Sequence, residues 1–164
     1  MRVQGPDIII TDSEDGYVEY LMAIEVKLTP ISQQLKQEAV NNLRRYMQSM
    51  NCLSGLLVFK DRIIRVDNLF NSQGKPLPEA VISMSLLPPA SGKWGKDEHL
   101  NFEEQVQSWL EALKYPSAFQ TLSPSLQEIL SEPVISFIRQ GDIRAAGPRY
   151  LKAEKTRNAV KDSP

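Results

Sequence analysis

Residues 5–27 read GPDIIITDSEDGYVEYLMAIEVK, and the fold turns on how this stretch pairs with itself. Asp7–Asp12 carries successive isoleucines at positions 8, 9 and 10, the β-branched composition of a strand. Ser13–Gly16 is a turn signal, strongest at Asp15-Gly16. Tyr17–Leu28 reads as a second strand. With a period of two, Val18, Tyr20, Met22, Ile24 and Val26 share one face, and Tyr17, Glu19, Leu21, Ala23, Glu25 and Lys27 share the other. The two strands are expected to form an antiparallel hairpin.

Opposed residues in such a hairpin have numbers that sum to a constant. A turn centred on Gly16 makes that sum about 32, which sets Asp7 against Glu25 with Cβ atoms roughly 4.5–5.5 Å apart. Lys27 emerges on the same face as Glu25. A one-residue slip would lose this convergence. Carboxylates brought together repel, and a proton, a cationic side chain or a metal ion relieves them. Their oxygens suit a hard cation such as Mg²⁺ or Mn²⁺, which can polarise a phosphoryl oxygen and activate water. A lysine beside them can orient that water or offset phosphate charge. The plainer alternative is a surface hairpin with a cross-strand salt bridge.

Outward from the hairpin, Thr29-Pro30 closes the second strand, and Ser32 is placed to cap a helix over residues 33–50. Leu35, Ala39, Val40, Leu43, Tyr46, Met47 and Met50 make its apolar face. Leu53–Phe59 is a buried-type strand, followed by a tight Lys60-Asp61 turn and Arg62–Val66, so the order is β-β-α-β-β. Asn71–Pro78 is a loop by composition, Ala80–Leu87 a further strand, and Pro88–Leu100 a long polar connection. Asn101 is expected to cap a helix running to about Lys114. Ser123-Pro124 opens another helix, which Pro133 breaks or kinks. Weak order is expected beyond Gly141. The expected organisation is a sheet-containing core over residues 1–87, a helical extension of the same domain over 88–141, and a basic, flexible tail over 142–164.

The motifs Gly5-Pro6-Asp7-Ile8-Ile9-Ile10 and Ile24-Glu25-Val26-Lys27 resemble, in order and spacing, the signature of the PD-(D/E)xK nuclease superfamily. In that family Pro-Asp opens an apolar strand and Glu-x-Lys closes the next. The resemblance covers about a third of the chain. It implies an α/β fold in which helices flank a mixed β-sheet, with a restriction-endonuclease-like core. It also implies Asp7, Glu25 and the Val26 carbonyl as ligands of Mg²⁺ or Mn²⁺, with Asp7, Glu25 and Lys27 as the catalytic set. Many members place Gln-x-x-x-Tyr on the following helix; here Asn42-Leu43-Arg44-Arg45-Tyr46 occupies that place, making Asn42 and Tyr46 supporting candidates. Helix packing by Tyr46 and a backbone-bonded Asn42 is the competing reading. The family's leading helix, which often brings an additional Glu, has no counterpart before Pro6. A later helix, another chain or a longer native chain could supply it.

The implied activity is metal-dependent hydrolysis of nucleic-acid phosphodiester bonds, with DNA as the first candidate and either endo- or exonuclease action open. The alternative is a nuclease-like module without catalysis that binds nucleic acid or a protein. A homodimer and a subunit of a larger complex both remain open as assemblies.

Charge patterning tempers the nucleic-acid reading. The whole chain carries −1. Residues 139–164 carry seven Lys/Arg against three Asp/Glu, leaving an acidic body and a basic end. Lys36, Arg44 and Arg45 are candidate phosphate contacts, with solvated helix charge as the alternative. Cys52 is the single cysteine and His99 the single histidine, which excludes an internal disulfide, a cysteine cluster and a multi-histidine centre. His99 is expected in a surface loop, and Trp94 as a loop anchor rather than a base-stacking platform. No apolar run suits a membrane span or a secretory signal, so a reducing cytoplasmic setting is expected.

Overall fold

The computed structural model describes residues 5–14, 16–28, 32–67 and 76–147. Expectations for Asp15, Thr29-Pro30, most of the loop at 71–78 and the tail from Pro148 onward lie outside these residues. Strands β1 (Ile8–Glu14) and β2 (Tyr17–Lys27) lead into helix α1 (Gln33–Met50), strands β3 (Ser54–Phe59) and β4 (Arg62–Asp67), and the short strand β5 (Glu79–Val81). Helices α2 (Glu98–Ala112), α3 (Pro116–Gln120), α4 (Pro124–Ile129) and α5 (Val134–Gln140) follow, and strand β6 (Asp142–Ala145) ends the described chain. The strands form one six-stranded sheet in the order β5-β4-β3-β2-β1-β6. It is mixed: β2 and β3 run parallel, joined by the crossover through α1, while the other neighbours pair antiparallel.

The sheet is covered on both faces. On one, α1 packs Ala39, Val40, Leu43 and Met47 against Ala23, Leu57, Phe59 and Ile64. On the other, Phe102, Val106, Trp109 and Leu110 of α2 join residues of α4 and α5 over Ile8, Ile10, Ile24, Val26, Leu56 and Val58. Two buried faces explain why β3 is buried at every position instead of alternating. α1 starts where its cap is expected, with the Ser32 hydroxyl accepting the Leu35 N–H. It ends on Asn51 at φ 60°, whose N–H reaches the carbonyls of Met47 and Gln48. Leu35, expected on the apolar face, is instead exposed.

Several expectations are corrected. Of the stretch 80–87 only Ala80 and Val81, in β5, pair with the sheet, and Met84–Leu86 is a 3₁₀ turn. α2 begins earlier than Asn101: Asp97 caps it by accepting the Leu100 N–H, so His99 lies in its first turn and not in a loop. The tail does not begin at 142, because Asp142–Ala145 pairs with β1 along Ile8–Thr11. Short β6 has four residues and two of them are charged or flanking, which left its sheet pairing without a periodic signal.

The hairpin register carries the main lesson. Next to the turn, Glu14 pairs with Tyr17 and Thr11 with Tyr20, so the sum is 31. Between Ile10 and Thr11 the register shifts, and Ile10 pairs with Met22 and Ile8 with Ile24, so the sum becomes 32. Leu21 is the extra residue of a β-bulge. The opposition of Asp7 and Glu25 therefore follows from a bulge and not from the turn assumed for it. The bulge also moves Leu21 off its expected face into the cluster beneath α2, with Met22, Ile24 and Val26.

Candidate metal centre

The site lies at the end of the sheet where β1 begins and β2 ends. Asp7 sits just ahead of β1 and is nearly fully buried. Its backbone is held on both sides: its N–H donates to the Ile24 carbonyl at 3.1 Å, and its carbonyl accepts from the Ala146 N–H at 2.9 Å. Its side chain is fixed too, because Oδ2 accepts the Val26 N–H at 2.8 Å. Gly147 keeps this corner open, since a Cβ there would stand 3.2 Å from Asp7 Oδ1.

Glu25 is buried beside Asp7, close enough for a hydrogen bond between the two carboxyls when Glu25 is protonated. Burial, then the Asp7 charge and that hydrogen bond, push the Glu25 carboxyl up to about 9, while Lys27 pulls the other way. Burial thus favours the protonated form of the Glu25 carboxyl in the absence of another cation. Lys27 Nζ lies 3.9 Å from Glu25 Oε1, with its side chain partly open to solvent. The hairpin thus brings Asp7, Glu25 and Lys27 together.

From across the sheet end, α2 adds two groups that sequence reasoning left out. Asp7, His99 and Glu103 each offer a ligand atom, and these atoms lie within 4.8 Å of one another. This group could hold a metal ion. Glu103 is fully buried, and its Oε1 is 3.7 Å from His99 Nδ1. His99 Nε2 lies 3.1 Å from the Val26 carbonyl oxygen. The i,i+4 spacing of His99 and Glu103 was readable; the missed signal was Asp97 as the cap, which extends the helix back over His99.

The remaining candidates are less central. The Tyr46 hydroxyl is held above its usual range by burial and then by the negative charges of Glu25 and Asp7, so it lies within their field. Asn42 Oδ1 accepts from Arg45 Nη2, and both belong to the outer side of α1. Arg44 is half-buried. Lys36 Nζ donates to Glu79 Oε2 at 2.9 Å, and Arg62 Nη1 donates to Glu79 Oε1 at 2.8 Å. Lys36 is therefore partly neutralised as a phosphate contact. Trp94 is buried with Nε1 donating to Glu104 Oε2 at 2.8 Å, an anchor for its loop and not an open stacking surface. Burial raises the Cys52 thiol to about 11, which keeps it unreactive.

Among the described residues no helix is long and apolar enough to cross a membrane. Searches against protein-family models, curated proteins and solved structures returned no match.

Proposed function

We propose that this chain is a divalent-metal-dependent nuclease with a restriction-endonuclease-like core, acting on nucleic-acid phosphodiester bonds with DNA as the first substrate to try. The observation that carries this reading is the convergence of the buried Asp7 and Glu25 at one end of the sheet, with Lys27 Nζ 3.9 Å from Glu25 Oε1. The β1–β2 hairpin, the α1 crossover and β3 parallel to β2 support the core assignment. A buried, protonated carboxyl beside a second carboxylate is poised to exchange its proton for a cation.

Asp7, Glu25 and the Val26 carbonyl would hold Mg²⁺ or Mn²⁺, with Asp7, His99 and Glu103 offering a further donor group. The bound ion would supply Lewis acidity toward a phosphoryl oxygen and a water acidified for attack. The protein supplies the rest. The Val26 N–H fixes the Asp7 carboxylate, and burial keeps both acids away from competing water. Lys27, half in solvent, can reach an incoming phosphate and offset its charge while remaining beside Glu25.

The test is cleavage of duplex and single-stranded DNA and of RNA with Mg²⁺ or Mn²⁺, with and without chelator. Glu25→Gln and Lys27→Ala should each lower cleavage by about 100-fold or more while the circular-dichroism spectrum stays native. Cleavage undiminished in Asp7→Ala rules the proposal out.

A further inference from the structure

The imidazole of His99 stands where a ligand should stand, on three separate observations. Its Nε2 is 3.1 Å from the Val26 carbonyl oxygen. A carbonyl oxygen only accepts, so this contact places the ring proton on Nε2 and leaves the lone pair on Nδ1. A ligand atom of His99 also lies within 4.8 Å of one from Asp7. Finally, Nδ1 faces the fully buried Glu103 carboxylate at 3.7 Å. With the ring fixed from behind by the Val26 carbonyl, Nδ1 and the Glu103 carboxylate are two donors to a metal ion that face each other.

We propose that His99 Nδ1 is a direct ligand of the ion held by Asp7, and that it tilts the site from Mg²⁺ toward Mn²⁺ and other first-row divalent ions. This rests on the metal-centre reading above and names the ion class that the centre selects. In this arrangement the Val26 carbonyl accepts from Nε2–H and orients the imidazole, and Glu103 stands beside Nδ1 as a further carboxylate donor. Mg²⁺ favours oxygen donors and binds imidazole poorly, whereas affinity at mixed nitrogen and oxygen sites rises along the first transition row. The selectivity comes from one residue, since Asp7, Glu25 and the Val26 carbonyl offer only oxygen.

The experiment is pulsed electron paramagnetic resonance on the full chain loaded with Mn²⁺, together with calorimetric titration of Mn²⁺ and Mg²⁺. The unmodified protein should show nitrogen-14 coupling of a directly bound imidazole, and His99→Gln should lose it. His99→Gln should weaken Mn²⁺ binding by about tenfold or more and Mg²⁺ binding by less than about threefold. Glu103→Gln should keep the nitrogen signal while weakening Mn²⁺. Because the nitrogen signal is read on the unmodified chain, a variant that fails to fold does not rescue the proposal. Mn²⁺ binding without nitrogen coupling, or equal loss of both ions in His99→Gln, overturns the role of His99 and leaves the Asp7–Glu25 centre standing. Absence of Mn²⁺ binding overturns both.

Discussion

Glu25 shows how one residue can report on the whole site. Its folded-state carboxyl titrates near 9, well above the 4.5 of a free glutamic acid. Between these values the folded chain holds a proton that the unfolded chain has released. Its contribution to stability is therefore complete below about pH 4.5 and is lost as pH rises toward 9. The metal-free melting temperature should fall across that window, and Glu25→Gln, which keeps the hydrogen bond but cannot ionise, should flatten the decline. Thermal melts at closely spaced pH values check this. Metal must displace the same proton, so Mn²⁺ titrations at pH 7 in buffers of different ionisation enthalpy should reveal proton release that Glu25→Gln reduces. At this scale Asp7, Glu25 and Lys27 were legible because strand alternation and cross-strand opposition act over a few residues. His99 and Glu103 were not brought to the site by any local pattern. They arrive through packing of α2 on the far face, driven by Phe102, Val106, Trp109 and Leu110.

Among the elements, β1, β2, α1, β3 and β4 were readable nearly to the residue, since each pairs a clear period with a turn or cap. The bulge at Leu21 was not, because an unpaired apolar residue in a strand looks like any other. β6 and the true start of α2 were missed for a related reason: both are fixed by partners distant in sequence. Gly141 illustrates the constraint at the junction of α5 and β6. A Cβ there would fall 2.3 Å from Ile10 Cγ2 and 2.9 Å from the Phe137 carbonyl oxygen. Gly141→Ala should thus cost about 1–3 kcal/mol by overpacking, read by urea unfolding. A variant as stable as the parent would show that β6 docks otherwise. Because Ala146 N–H holds the Asp7 carbonyl, the same variant should weaken Mn²⁺ binding.

For the whole molecule, the candidate metal centre depends on two layers meeting at one end of the sheet. Arg65 is a principal tie between them. It is buried in β4, where its Nε donates to Asp67 Oδ1 at 3.1 Å. Its Nη1 reaches the carbonyls of Ile129 and Ser131, and Nη2 that of Glu132, so it satisfies the end of α4 and the turn into α5. Arg65→Ala should destabilise the chain by about 2–4 kcal/mol, and Arg65→Lys should recover only part because an ammonium cannot serve this fork. Equilibrium denaturation decides it; a loss near zero would mean the helical layer is held by apolar packing alone.

The most direct measurement of the centre is anomalous diffraction from crystals soaked in millimolar Mn²⁺, collected near the manganese edge. A peak within bonding reach of the Asp7 carboxylate and the Glu25 carboxylate, with the Val26 carbonyl turned toward it, is the result expected. No anomalous density between the start of β1 and the end of β2 at pH 7 would contradict it.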